Sequence, residues 1–230
     1  MGPRVGIIGA GLCGLTTARQ VERLSPFHVT VFEKQTNLKE PIIRGDFNLP
    51  DAKRVLVELQ LGGKFSGLKK LAHNQTDPAF LPQQPLLLAL AESLRPGTLQ
   101  LGSAVTRITS CQGLFYCHLE ERASPDGPFD VLVLCHGVRH LDHPESDGIL
   151  LGGDARWVLG HWWDFGTARI RQGANTALID GVTLGVAISG GLPLGRDILD
   201  RCSPVRRKRW ELWTWRCLLC LIFFAFFRNL

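Results

Sequence analysis

The first 33 residues constrain this chain more than any other stretch. Arg4-Val-Gly-Ile-Ile8 is a short apolar run that reads as a buried strand. Gly9-Ala-Gly-Leu-Cys-Gly14 follows, and from there the apolar spacing turns helical through Leu12, Leu15, Ala18, Val21 and Leu24. Ser25-Pro26 stops that helix, and Val29 to Glu33 reads as a second strand that ends on an acid. Strand, helix and strand in this order predict an α/β fold built on a parallel sheet. The glycine spacing has a mechanical reason. Gly9 permits a tight turn off the strand, Gly11 lets a pyrophosphate approach the backbone, and Gly14 lets helix and strand pack closely. The new helix points its free N–H groups and positive end at the phosphates. Glu33 lies where a carboxylate can accept hydrogen bonds from ribose hydroxyls, and an acid there disfavours a 2′-phosphate. A merely tight strand-to-helix turn is the bland alternative. The fingerprint by itself does not separate NAD from FAD.

Beyond this unit the pattern stays mixed. Residues 34–50 read as a Gly- and Pro-containing loop, and Ala52 to Leu61 as a short amphipathic helix ended by Gly62-Gly63. Residues 73–85 read as a polar loop. Leu86 to Leu94 is helical by composition and is stopped by Arg95-Pro96-Gly97. Strands are expected at Leu99–Leu101, Val105–Thr109, Leu114–Leu119 and Val131–Leu134, the last two separated by a turn at Ser124-Pro-Asp-Gly127. Ile149 to Leu151 is a last short strand, and Ala174 to Ile188 a last helix. The expected fold class is thus a Rossmann-like domain with a parallel sheet and a small β-meander.

Charge narrows the partners. The chain of 230 residues is 45% hydrophobic with a net charge of +5, which is the balance of a globular protein. All of that positive charge belongs to the tail: residues 201–230 carry seven basic side chains against Glu211, and residues 1–200 hold 19 basic and 20 acidic ones. The body therefore offers no basic excess to a nucleic acid. Seven cysteines without repeated spacing argue against a zinc module and for a reducing compartment. His136, His140, His143 and His161 match no standard metal-ligand spacing. The opening apolar run is broken at once by glycines, unlike a signal peptide.

Three further segments resemble the flavin hydroxylases, the family of p-hydroxybenzoate hydroxylase and related FAD-dependent aromatic-ring and ubiquinone-pathway monooxygenases. Arg44-Gly-Asp-Phe-Asn-Leu-Pro50 through Leu59-Gln-Leu-Gly62 is similar to the stretch that follows the ribose acid there, and Arg44 matches an Arg that reaches the cofactor. Gln83 through Gly97 and then Leu99 to Val105 resemble the helix and strand that begin with an Arg or Gln near the flavin, the place of Gln83. Gly153-Asp154-Ala155 and Gln172-Gly-Ala-Asn-Thr-Ala-Leu-Ile-Asp180 resemble the late FAD motif. There Asp154 would bind ribityl or ribose hydroxyls, and the helix start Gly173, Ala174 and Asn175 would face the isoalloxazine. A helix N-terminus at that edge stabilises the negative charge of reduced flavin. The resemblance implies FAD as cofactor, NAD(P)H as a possible reducing co-substrate, and O2-dependent hydroxylation of an organic small molecule. It implies no catalytic side chain in this chain.

The departures carry weight too. His136 stands where the family has an Asp, and His140 where it has a Ser; an imidazole does not accept hydrogen bonds as a carboxylate does. Only His140 to Gly152 occupies the place where the family inserts a long substrate sheet, so that sheet is expected to be largely missing. Trp157, Trp162, Trp163 and Phe165 then form an aromatic cluster that reads as core packing or, alternatively, as a compact lid. Two other readings stay open: a non-catalytic, shortened flavoprotein, and an NAD-binding Rossmann protein with no role for Asp154 and Gly173.

Residues 201–230 read as a separate basic, aromatic and hydrophobic tail after a body of residues 1–200. Arg206-Arg-Lys-Arg209 precedes three Trp residues and the apolar run Cys217–Phe227, which is short for a spanning helix of about 20 residues. Basic residues beside Trp suit membrane contact through residues 206–227 with the body in the cytoplasm. A helix packed on the body and a foreign segment from an altered reading frame are the alternatives.

Overall fold

The computed structural model of the protein describes residues 2–39, 46–72, 76–77, 80–135, 149–151 and 173–190. Its opening follows the apolar pattern closely. Strand β1 is Arg4–Ile8, helix α1 is Leu12–Leu24 and strand β2 is His28–Phe32. After them come β3 (Asp46–Asn48), α2 (Ala52–Glu58), a 3-10 turn at Gly62–Lys64 and α3 (Phe65–Lys70). Then follow β4 (Phe80–Pro82), α4 (Gln83–Ala91), β5 (Leu99–Gln100), β6 (Val105–Cys111), β7 (Leu114–Leu119), β8 (Asp126–Phe129) and β9 (Val131–Leu134). Strand β10 is Ile149–Leu151, and α5 is Gly173–Ser189.

Five strands form one sheet in the order β10-β9-β1-β2-β5, and every pairing in it is parallel. β3 and β4 form an antiparallel pair, and β6-β7-β8 form a separate antiparallel meander. Alternation of side chains along the strands divides the core in two. Val5, Ile7, Val29, Val31, Val131 and Val133 share one apolar cluster with Leu12, Leu15, Ala18 and Val21 of α1 and Leu178 and Leu184 of α5. Ile8, Phe32, Leu132 and Leu134 face the other way, onto Ile108, Phe115, Cys117 and Phe129 of the meander. The parallel sheet is therefore covered on both faces, as its continuous apolar strands require.

From β1 the chain passes through α1 to β2 on one side and returns much later to β9 on the other. The carboxyl end of β1 is therefore a topological switch point, where crevices open in sheets of this kind. Gly9 to Gly14 begins there.

Several elements differ from the sequence expectation. Gly62-Gly63 does not simply end a helix; it starts the 3-10 turn that leads into α3. Asp126 and Gly127 belong to β8 rather than to a turn alone. The polar loop at 73–85 contains β4 and the first turn of α4, which starts at Gln83 instead of Leu86. The strand expected to end on Glu33 ends at Phe32.

Candidate functional site

The three fingerprint glycines do three different jobs. Gly9 has φ +104°, a backbone conformation that side chains resist, and its N–H donates to the Phe32 carbonyl at 2.8 Å. A Cβ on Gly14 would lie 1.9 Å from the Gly9 carbonyl oxygen and 3.3 Å from Ile7 Cγ2, so α1 sits on β1 only because no side chain is there. Gly11 needs neither excuse. Its φ of −77° and ψ of −175° suit any residue, and among the described residues a Cβ there would meet nothing within 4 Å. None of the described residues fills the space above the Gly11 backbone.

Gly11 is also the N-cap of α1, with no side-chain cap and no acid in the first turn. The positive end of the helix is thus not neutralised by its own side chains. Beside it stands Glu33. One carboxylate oxygen, Oε2, accepts from the Ala10 N–H at 2.8 Å, and Oε1 accepts from the Gln35 N–H at 2.9 Å. The Glu33 backbone is bound on both sides: its N–H donates to the Gln100 carbonyl at 2.9 Å, and its carbonyl accepts from Ser103 N–H at 2.8 Å. The acid is therefore held rigidly against the glycine turn. Each oxygen keeps a further lone pair for a hydroxyl donor.

Helix α5 adds a second positive end. A Cβ on Gly181 would lie 2.7 Å from Thr16 Cβ and 2.8 Å from the Cys13 carbonyl, and one on Gly185 would lie 2.4 Å from Gln20 Cβ. Gly181 thus meets the start of α1 and Gly185 a point one turn on, so the helices run parallel with their backbones close. Both N-termini point the same way, toward the carboxyl edge of the sheet. With a rise of 1.5 Å per residue, α5 begins about 9 Å beyond the start of α1. No acid lies in its first turn.

The expected site residues divide accordingly. Gly9, Gly11, Gly14 and Glu33 form one constellation at the switch point. Gly173 and Ala174 open α5. Asn175, 2% exposed, is committed to Asp51: its Oδ1 accepts from the Asp51 N–H at 3.1 Å, and its Nδ2 donates to Asp51 Oδ2 at 2.7 Å. It ties the start of α5 to the residue preceding α2. Gln83 is 8% exposed at the head of α4, and its buried Oε1 has no hydrogen-bond partner among the described residues. A buried acceptor without a donor carries a cost of about 1–3 kcal/mol that a bound donor would remove. Arg44 and Asp154 lie outside the described residues, as do His136, His140, the Trp cluster and the tail at 201–230.

Two features were not expected from the sequence. Asp51 is the long-range partner of Asn175, and nothing local marks it beyond its place before a helix. Cys13, on the first turn of α1, and Cys135, just after β9, are buried in the same apolar cluster. The neighbouring Cys135 thiol, burial and the Asp180 carboxylate push the Cys13 thiol well above the usual thiol range. Among the described residues there is no His, Cys, Asp and Glu group that could hold a metal ion, and no helix long and apolar enough to cross a membrane.

Comparisons with known proteins agree with this geometry. Residues 7–38, which span β1, α1 and β2, match the family described as an NAD(P)-binding Rossmann-like domain. No curated protein matches the chain. Among solved structures, FqzB is similar with a TM-score of 0.50 at 19% identity over 61% of this chain and 38% of its own. A substituted form of Klebsiella pneumoniae HpxO complexed with FAD gives a TM-score of 0.47 at 16% identity over 59% of this chain and 40% of its own. CtdE in complex with FAD gives 0.48 at 16% identity, over 60% and 39% respectively. The likeness to FqzB shows the fold. The chain spans about two fifths of the length of these solved structures.

Proposed function

We propose that this chain binds FAD and is the cofactor-binding part of a flavin-dependent oxidoreductase similar to the aromatic-ring monooxygenases. The observation that carries the reading is the space above Gly11 that no described residue fills, flanked by the uncapped end of α1 and by the fixed Glu33 carboxylate. Such a space takes a pyrophosphate on the helix end and an adenosine ribose on the acid.

FAD is favoured over NAD by what lies further along. The parallel helix α5 presents a second N-terminus at the same edge, where a flavin ring would reach and a nicotinamide dinucleotide has no use for it. The orphaned Gln83 Oε1 is a ready acceptor for a cofactor N–H or hydroxyl. Arg44 and Asp154 complete the set by resemblance to the family's motifs. When bound, FAD supplies the electron transfer and the activation of O2. The chain's own residues supply binding and electrostatics. Gly11 admits the phosphates, Glu33 orients the ribose, and the α5 N-terminus stabilises negative charge on the ring. NAD(P)H as reductant and an organic small molecule as substrate belong to this proposal.

The test is to load purified protein with FAD and mix it with NADH or NADPH without oxygen. The reading expects the yellow colour to bleach with at least one reductant and to return on admitting air. Retained flavin that neither reductant bleaches would leave the flavoprotein reading and remove the NAD(P)H-linked one. Failure to retain flavin at all would remove both.

A further inference from the structure

Residues 52–72 hold Lys53, Arg54, Lys64, Lys69 and Lys70 against Glu58 alone, while the other residues of 1–200 hold 14 basic and 19 acidic side chains. An otherwise acidic body thus carries a local positive charge on α2, the 3-10 turn and α3. Glu58 is engaged by Arg23 at 2.8 Å, and Lys64 reaches Glu92 at 3.4 Å in an exposed pair that water screens. The same segment carries Val57 and Leu71, which at 61% and 62% are the most exposed large apolar side chains among the described residues. Contacts join these groups into one surface. Lys53 and Val57 stand one turn apart on α2. Lys53 Nζ lies 6.0 Å from the centroid of the Phe65 ring, at the start of α3. Val57 Cγ2 lies 3.0 Å from where a Cβ on Gly62 would be. At Gly63 and Gly67 a Cβ would meet none of the described residues within 4 Å, and Leu71 follows one turn after Gly67. We propose that this surface docks the protein on a membrane that carries anionic lipid.

The mixture of groups favours lipid over other polyanions. A nucleic acid backbone would meet the cations but has no use for Val57 and Leu71, and the acidic remainder of the body repels it. A leaflet with anionic headgroups meets both kinds of side chain. Each Lys or Arg close to such a leaflet raises the partition constant about fivefold. That attraction fades within about 8 Å at physiological salt, so the cations at the contact decide the binding and not the net charge of the chain. The two aliphatic side chains enter the boundary between headgroups and acyl chains, where apolar burial adds to the electrostatic term. The contact is peripheral: α2 has seven residues and α3 six, against about 20 for a helix that spans. Its place is set by the fold. Asp51, directly before α2, is held by Asn175 at the start of α5, so the docked face adjoins the carboxyl edge of the parallel sheet.

The experiment uses the full chain without added cofactor, so its outcome is independent of the flavin reading. Protein is sedimented with vesicles of phosphatidylcholine alone, and with vesicles of two parts phosphatidylcholine to one part phosphatidylserine. The expected result is a partition constant at least about tenfold higher on the anionic vesicles, and a loss of that gain in the double variant Lys53→Glu with Arg54→Glu. Both positions are exposed; should charge reversal harm folding, Lys53→Gln with Arg54→Gln gives the same readout with a smaller loss. The control is Arg107→Glu with Arg122→Glu, two exposed positions on the meander that change the net charge equally and should leave the gain intact within about twofold. Val57→Ser should weaken binding to the anionic vesicles by about threefold or more. Equal partition of the parent chain on the two kinds of vesicle would overturn the proposal. A gain that survives in both Lys53 and Arg54 variants would also overturn it, because the basic tail at 206–227 would then carry the contact. Equal loss in the control would reduce the effect to net charge and overturn it as well. So would a parent chain that ignores the vesicles but binds polyglutamate through Lys53 and Arg54, which would assign the surface to an acidic protein.

Discussion

Substituting Gly14 and Gly11 separately by Ala should split stability from binding. At Gly14 the new Cβ would stand 1.9 Å from the Gly9 carbonyl oxygen. Carbon–oxygen contacts normally close at about 3.3 Å, so helix and turn must part by about 1.4 Å. The atom struck is backbone, not the movable end of a side chain, and the turn is already tied by Gly9 N–H to Phe32. The cost should reach the top of the overpacking range, about 3 kcal/mol, or a fall in Tm of roughly 6–12 °C. At Gly11 the Cβ meets none of the described residues within 4 Å, and the backbone is already in an extended conformation open to any residue. Only a modest N-cap preference is lost, about 1 kcal/mol or less. The methyl group instead occupies the space assigned to the pyrophosphate, so FAD affinity should fall at least about tenfold, equivalent to about 1.4 kcal/mol. Urea unfolding followed by circular dichroism gives the first quantity, and fluorescence titration with FAD the second. If Gly11→Ala bound FAD as tightly as the parent, or lost as much stability as Gly14→Ala, the division of labour among the glycines would be wrong.

Other consequences are as direct. Glu33→Ala removes the acceptor of two backbone N–H groups, Ala10 and Gln35, and should cost about 1–3 kcal/mol in urea unfolding along with weaker FAD binding. Asn175→Ala removes the acceptor of the Asp51 backbone N–H and the donor to the Asp51 carboxylate, and should destabilise by a similar amount, read by the same denaturation. Gly185→Ala presses on Gln20 Cβ at 2.4 Å and should lower Tm through the α1–α5 contact. Cys117 offers a test in pH. Burial, with a smaller push from Asp126, raises its thiol from 9.0 to about 12. Below about pH 9 both folded and unfolded chains keep the proton, so its contribution is constant. Above that the unfolded chain releases the proton first, and stability declines until the folded thiol ionises near 12. Between about pH 8 and about pH 10 the gap between the parent and Cys117→Ala should narrow by about 1 kcal/mol, and a constant gap would contradict the shift.

The opening β1-α1-β2 unit was legible in the sequence because several signals agreed there. Apolar runs, a change of period, three glycines and a terminal acid all specified the same unit. Elsewhere single residues misled. Gly62 and Gly63 read as the end of a helix, yet they open a 3-10 turn that leads into α3. Asp126 and Gly127 read as the end of a turn, yet they open β8 at the edge of the meander, where Pro128 is tolerated. At the site, Gly9, Gly11, Gly14 and Glu33 were readable because they lie within one supersecondary unit. The use of Asn175 was not, because its partner Asp51 is 124 residues away. The burial of Cys13 and Cys135 in one apolar cluster was hidden for the same reason: β9 returns to the side of β1 only after the meander has been built.

The central claim is that the space over Gly11 is a dinucleotide site that holds FAD. Its most direct test is equilibrium titration of the full chain with FAD and, separately, with NAD+. The account predicts saturation at one FAD per chain, strongly weakened in Gly11→Ala, with much poorer binding of NAD+. Tight NAD+ binding with no bound flavin, or no binding of either, would contradict it.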